Sequence, residues 1–181
     1  MGVIASGHAH RMTPMTRCSP AFPLNALLLL GAVAAGSTAR ADDASDCHAA
    51  AGTYLAGVVL SPPTFARGSR LRGIELSHTH VKLMGDADAK TYDIAVDDVF
   101  ASDYRPRQER VPASLARIRP GDRLSVCGIP FKGGMHWVHT NCGDAPTPQD
   151  PDGWLKEIAP DGTPGPNLEA SIKYCYLWPR K

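Results

Sequence analysis

Hydrophobic and polar positions along this chain fall into short alternating runs punctuated by glycine and proline, the pattern of strands joined by tight turns. Tyr54 to Leu60 (YLAGVVL) is apolar on both faces and closes at Ser61-Pro62-Pro63, which predicts a core strand. Gly73 to Leu83 predicts a second, longer strand. Its apolar parity flips midway, from Ile74 and Leu76 to Val81 and Leu83, so a bulge or bend is expected near His78-Thr79-His80. Thr91 to Phe100 alternates Tyr92, Ile94 and Val96 against Asp93, Ala95 and Asp97, a half-buried third strand. Val111, Leu115 and Ile118 sit at helical spacing ahead of Pro120-Gly121 and predict a short helix. Asp122 to Phe131 follows as a fourth strand, Lys132-Gly133-Gly134 as a turn and Met135 to Asn141 as a fifth strand.

In the fifth strand Met135, Trp137, His139 and Asn141 share one face, so His136 and His139 point to opposite sides. Beyond Cys142 the run GDAPTPQDPDG cannot continue a ladder and reads as a loop anchored by Trp154 and Leu155. Leu168 to Trp178 alternates again and predicts one more strand, with a helix capped by Asn167 as the alternative. Three strands, a helix, then two strands is the order of a small five-stranded, OB-like Greek-key barrel. The expected fold class is therefore all-β, with an extra C-terminal strand. An open antiparallel sheet or sandwich is the competing architecture.

The N-terminus changes the picture. Arg11 and Arg17 precede the apolar run Ala21 to Ala35, and Ala39-Arg40-Ala41 carries small residues where a signal peptidase reads. Residues 1–41 are expected to be a cleaved secretory leader, with an uncleaved anchor as the alternative and no stable membrane span after cleavage. Residues 42–181 would then be one periplasmic or secreted domain, with the barrel at about 54–142 and an extension at 143–181. Asp42 to Gly52 predicts a short helix capped by Ser45 or Asp46.

Losing Arg11, Arg17 and Arg40 from 19 basic residues, against an unchanged 18 acidic ones, leaves a mature net charge of −2. Four cysteines remain, Cys47, Cys127, Cys142 and Cys175, an even number that in an exported chain predicts two disulfides. All three connectivities are open. The offset of Cys127 from Cys142 across the hairpin favours Cys142 with Cys175 and Cys47 with Cys127.

Gly133-Gly134-x-His136-Trp137-x-His139, followed by Asp152-Gly153-Trp154-Leu155-Lys156 and preceded by Ile118-x-Pro120-Gly121-Asp122, resembles an exported bacterial family, domain of unknown function 3465. The resemblance spans Tyr54 to Ile158. This chain departs from it at Gly68-Ser69-Arg70-Leu71, where the family carries histidine last, and in its cysteines and its C-terminal extension. The resemblance implies an exported barrel and no particular reaction.

Three groups of residues are candidates for function. Trp137, His139 and Trp154 could form an aromatic platform, against the structural alternative that Trp154 pins the proline-rich loop. Arg67, Arg70 and Arg72 could line the groove that an OB barrel builds from the loop between its first two strands, though solvated loop charges are the commoner reason for such a cluster. His78 and His80, with Asp93, His136 or His139 as a third ligand, could grip zinc in a metal-dependent hydrolase. The expectation is a non-enzymatic binding or structural module without cofactor, its partner an unknown ligand or envelope protein. Weak binding of an anionic polymer is a further alternative, and the net acidity argues against nucleic acid.

Overall fold

The computed structural model describes residues 36–178, and within that span a closed barrel holds the core. Its five strands are β1 (Thr53–Val59), β5 (His78–Gly85), β6 (Thr91–Asp97), β7 (Arg123–Phe131) and β8 (Gly134–His136). The hydrogen-bonded order is β1-β5-β6-β8-β7, and β7 closes back onto β1 from Thr53↔Gly128 to Val58↔Arg123. Only the β6–β8 pair is parallel; the other barrel pairs are antiparallel. With the one-turn helix α2 (Ala113–Ala116) between the third and fourth barrel strands, this is the OB-like all-β barrel that the element order predicts.

The remaining elements decorate that barrel. The helix α1 (Gly36–Ala49) lies against β1 and β7, β2 (Thr64–Ala66) pairs with the start of β5, and β3 (Arg70–Leu71) and β4 (Ile74–Glu75) form a small separate hairpin. β9 (Trp154–Ile158) pairs with β7 from Arg123↔Ile158 to Cys127↔Trp154. It therefore takes over the edge of β7 that β8 occupies from Ile129 to Phe131. Inside, Val81, Leu83, Ile94, Val96, Leu124 and Val126 are closed off by Leu115 and Ile118 around α2.

Several local expectations are corrected. The helix at 42–52 begins at Gly36, so Ser45 and Asp46 sit inside it and cap nothing. The strand expected over Gly73 to Leu83 is divided next to the predicted bend: β4 ends at Glu75 in its separate hairpin, Leu76 and Ser77 lie in no strand, and β5 then runs without a bulge from His78↔Asp97 to Met84↔Thr91 in its ladder with β6. The parity never flips: Glu75, Ser77, Thr79, Val81 and Leu83 are all buried, and the inward positions of the first half are simply polar. The fifth strand stops at His136 because Trp137 takes a left-handed backbone, φ 60°, which ends the alternation. Leu168 to Trp178 is no strand. The segment pairs with no strand, buries Leu168 and Glu169 side by side, and ends in a 3-10 turn at Cys175–Leu177. The strand beyond the barrel is Trp154–Ile158 instead.

Both disulfides are formed, Cys47–Cys127 tying α1 to β7 and Cys142–Cys175 tying the C-terminal segment to the loop after β8. Such bonds suit an oxidising compartment. The expected leader lies outside the described residues as far as residue 35, and no helix among the described residues is long and apolar enough to cross a membrane.

Candidate functional site

The site follows from how β8 ends. After His136 the chain leaves the barrel wall and returns only at Gly153, where a Cβ would stand 2.5 Å from the carbonyl oxygens of both Cys127 and Trp137. The excursion is held in shape by its own polar groups. Asn141 N–H donates to Asp152 Oδ1 (3.0 Å), Asn141 Nδ2 to the Asp144 carbonyl (2.9 Å), and Thr147 and Asp150 bridge their backbones. The Cys142–Cys175 bond then brings the C-terminal segment alongside. Between loop, segment and barrel end lies a cavity of about 760 Å³, within the roughly 300–1,000 Å³ usual for small-molecule sites.

Its apolar wall is a run of stacked rings. Trp178 stacks on Phe100 (centroids 5.4 Å apart, 18° between planes), Phe100 on His139 (3.7 Å, 4°) and His139 on Trp137 (5.8 Å, 30°). Trp178 is 37% exposed and Tyr176 58%, so the C-terminal segment offers ring surface to an incoming molecule.

The polar floor starts at Asp97, the last residue of β6. Its ladder partner His78 places Nε2 2.8 Å from Asp97 Oδ1, and His139 places Nε2 3.4 Å from Oδ2. Burial opposes ionisation of Asp97, but the hydrogen bonds and charges of His139 and His78 outweigh it and hold the carboxyl well below the usual carboxylate range. The hydrogen bond to Asp97 in turn raises His78 against the opposing effect of burial. His139 Nδ1 lies 2.8 Å from the Thr140 carbonyl, so both of its ring nitrogens face acceptors.

Directly behind the floor, Asp98 turns the other way into the core. Ser77 Oγ and Thr79 Oγ1 each donate to it at 2.6 Å, yet burial still raises its carboxyl. Glu169 is 0% exposed and neither carboxyl oxygen has a hydrogen-bond partner. Burial first, then the charges of Asp98, Asp97 and Asp103, push the Glu169 carboxyl well above the ordinary range, which favours its neutral form.

The sequence-derived candidates separate. Trp137 and His139 line the cavity together. Trp154 does not join them: it is 8% exposed on β9, packed against the Cys47–Cys127 bond, with its indole N–H donating to Ser125 Oγ at 3.2 Å. It pins that disulfide and α1 and takes no part in an aromatic platform. Arg67 pairs with Glu109 and, at 3.9 Å, with Glu75, while Arg72 Nη1 donates to the Tyr176 carbonyl at 3.0 Å. Arg70 lies exposed on β3, and none of the three arginines lines the cavity.

The proposed zinc ligands are also kept apart. His78 is engaged with Asp97, His80 with Asp93 at 3.0 Å, and His136 sits edge-on to Phe131 and Trp137. Among the described residues no group of three or more His, Cys, Asp or Glu side chains is placed to hold a metal ion. Phe100, Asp97, Asp144, Tyr176 and Trp178 were missed as site residues. The adjacent acids Asp97-Asp98 at a strand end were the available signal for the floor; the ring stack, drawn from distant parts of the chain, had none. No protein-family model matches the chain, nor does any curated protein or solved structure.

Proposed function

We propose that this chain is an exported, non-enzymatic binding module of the bacterial envelope, periplasmic or secreted, of the kind its hairpin motif resembles. Its ligand occupies the cavity at the end of the barrel. The observation that carries this reading is the cavity itself: a ring stack for a wall and a floor whose imidazole nitrogens are already committed to Thr140 and Asp97. Rings for one face of a ligand and fixed acceptors for its edge make an arrangement suited to holding a molecule. The two disulfides fit an oxidising destination.

The test is an NMR titration of the purified, oxidised protein with a panel of saccharides, amino acids, nucleosides and organic acids. The expected result is saturable shifts confined to the indole and amide signals of Trp137, His139 and Trp178, with the added compound recovered unchanged. Shifts elsewhere, no shifts at all, or turnover of a bound compound would each overturn the reading.

A further inference from the structure

We infer that the cavity is a site for a neutral sugar, a deepening that rests on the binding-module reading. Charge narrows the ligand first. Asp97, Asp144 and Asp150 line the cavity and, among the described residues, no lysine or arginine does, so an anionic group would meet carboxylates with no described cation to balance it. Arg72 reaches only the outside of the wall, where it is bonded to the Tyr176 carbonyl. At the floor a cationic group gains little, because Asp97 is already engaged by His78 and His139, and whether Asp144 and Asp150 draw a cation instead is what the glucosamine hexamer below tests.

The remaining chemistry is that of a molecule with an apolar face and a ring of hydroxyls. Trp137 and Trp178 stand at the two ends of the ring stack, and an indole face takes the C–H side of a pyranose by dispersion. Around those rings the polar lining is rich in acceptors, the carboxylates of Asp97, Asp144 and Asp150 with the Asn141 amide and Thr140 hydroxyl. Sugar hydroxyls are donors, and bonds from them to ionised carboxylates are of the stronger, charge-assisted kind. Aromatic surface for one face and fixed acceptors for the edge is the division of labour that orients a polyol.

The test uses one backbone in several charge states. Tryptophan emission of the oxidised protein is titrated with N-acetylchitohexaose and cellohexaose (neutral), the glucosamine hexamer (cationic), oligogalacturonate (anionic) and adenosine. Each titration is repeated on Trp178→Ala and Asp144→Asn, with circular dichroism to verify folding. The expected result is saturable binding of at least one neutral oligosaccharide, weakened about tenfold or more in either variant, with the charged oligomers at least about tenfold weaker than the neutral one. Tighter binding of the glucosamine hexamer, oligogalacturonate or adenosine, lost in the same variants, would overturn the sugar assignment and leave the binding module standing. Binding of no probe to folded protein would also overturn the sugar assignment, while the broader panel titration decides the module separately. Sugar binding unaffected in both variants would place it away from the cavity and overturn the proposal.

Discussion

Replacing Trp154 by alanine separates the two tryptophan roles that the sequence could not. The indole is 8% exposed, touches the Cys47–Cys127 bond, donates to Ser125 Oγ at 3.2 Å and has Lys156 Nζ 4.1 Å from its ring centroid. Emptying an aromatic core position costs about 3–5 kcal/mol. The lost indole bond to Ser125 Oγ, which keeps its own bond to Asp43, and the lost cation–ring contact, each about 1 kcal/mol or less, place this site within the upper half of that range. For a chain of this length about 4–5 kcal/mol lowers the melting temperature by roughly 8–20 °C, and against a typical margin of about 5–15 kcal/mol it brings the domain near unfolding. Thermal unfolding by circular dichroism, with both disulfides intact in parent and variant, measures it. Trp178→Ala is the control, its half-exposed ring worth only about 1–2 kcal/mol to the fold. If Trp154→Ala melts within about 2 °C of the parent, or no lower than Trp178→Ala, the pinning role assigned to Trp154 is wrong.

Other outcomes follow from the same geometry. Converting Cys142 and Cys175 together to serine should cost about 3–4 kcal/mol for a separation of 33 residues and also weaken ligand capture, since it frees the segment bearing Tyr176 and Trp178; urea and binding titrations read the two effects, and unchanged affinity would refute the segment as a wall. Glu169 carries a raised carboxyl, so above the unfolded-chain value of about 4.3 the folded state keeps a proton the unfolded chain has lost, and stability falls as pH rises from there toward the folded value. Glu169→Gln should flatten that decline, melting higher than the parent at pH 8 and level with it near pH 3; parallel melting curves across that span would refute a buried neutral acid. Native mass spectrometry of the His78→Ala, His80→Ala double variant should read the same metal content as the parent, and one zinc per chain lost on substitution would favour a hydrolase.

The strands of the barrel were legible because their inward positions are apolar at period two: Ile94 and Val96 in β6, Leu124 and Val126 in β7, Val81 and Leu83 in the second half of β5. The errors share one cause. Parity reading takes apolar for inward, and beneath this site the inward positions are Glu75, Ser77, Thr79 and Asp98. The break near His78 was therefore expected for the wrong reason, since burial keeps its period from Glu75 to Leu83 across it. At Leu168-Glu169 the buried acid was assigned to a solvent face, and a strand was drawn through a segment that a disulfide and a 3-10 turn hold in place. Trp137 and Trp154 belong to the same motif-like stretch, yet the left-handed turn at Trp137 and the transfer of the β7 edge from β8 to β9 send them to different places.

Those buried polar groups are where local preference and fold disagree, and such disagreement concentrates at functional sites. The carboxyls of Asp97, Asp98 and Glu169 influence one another electrostatically, and a low-dielectric interior does not tolerate several neighbouring negative charges. The structure settles the conflict by position. Asp97 faces the cavity and is kept ionised by two imidazoles; Asp98 takes two hydroxyl donors but is raised by burial; Glu169, with no donor at all, stays protonated. Asp97 therefore stands in the cavity as an ionised acceptor whose orientation is set by His78 and His139 from opposite oxygens. A fully apolar packing at residue 169 would stabilise the fold at least as well as an unbonded acid. The neutral acid therefore does not earn its place through stability; it sits where any gain in negative charge would be felt directly by the floor of the site.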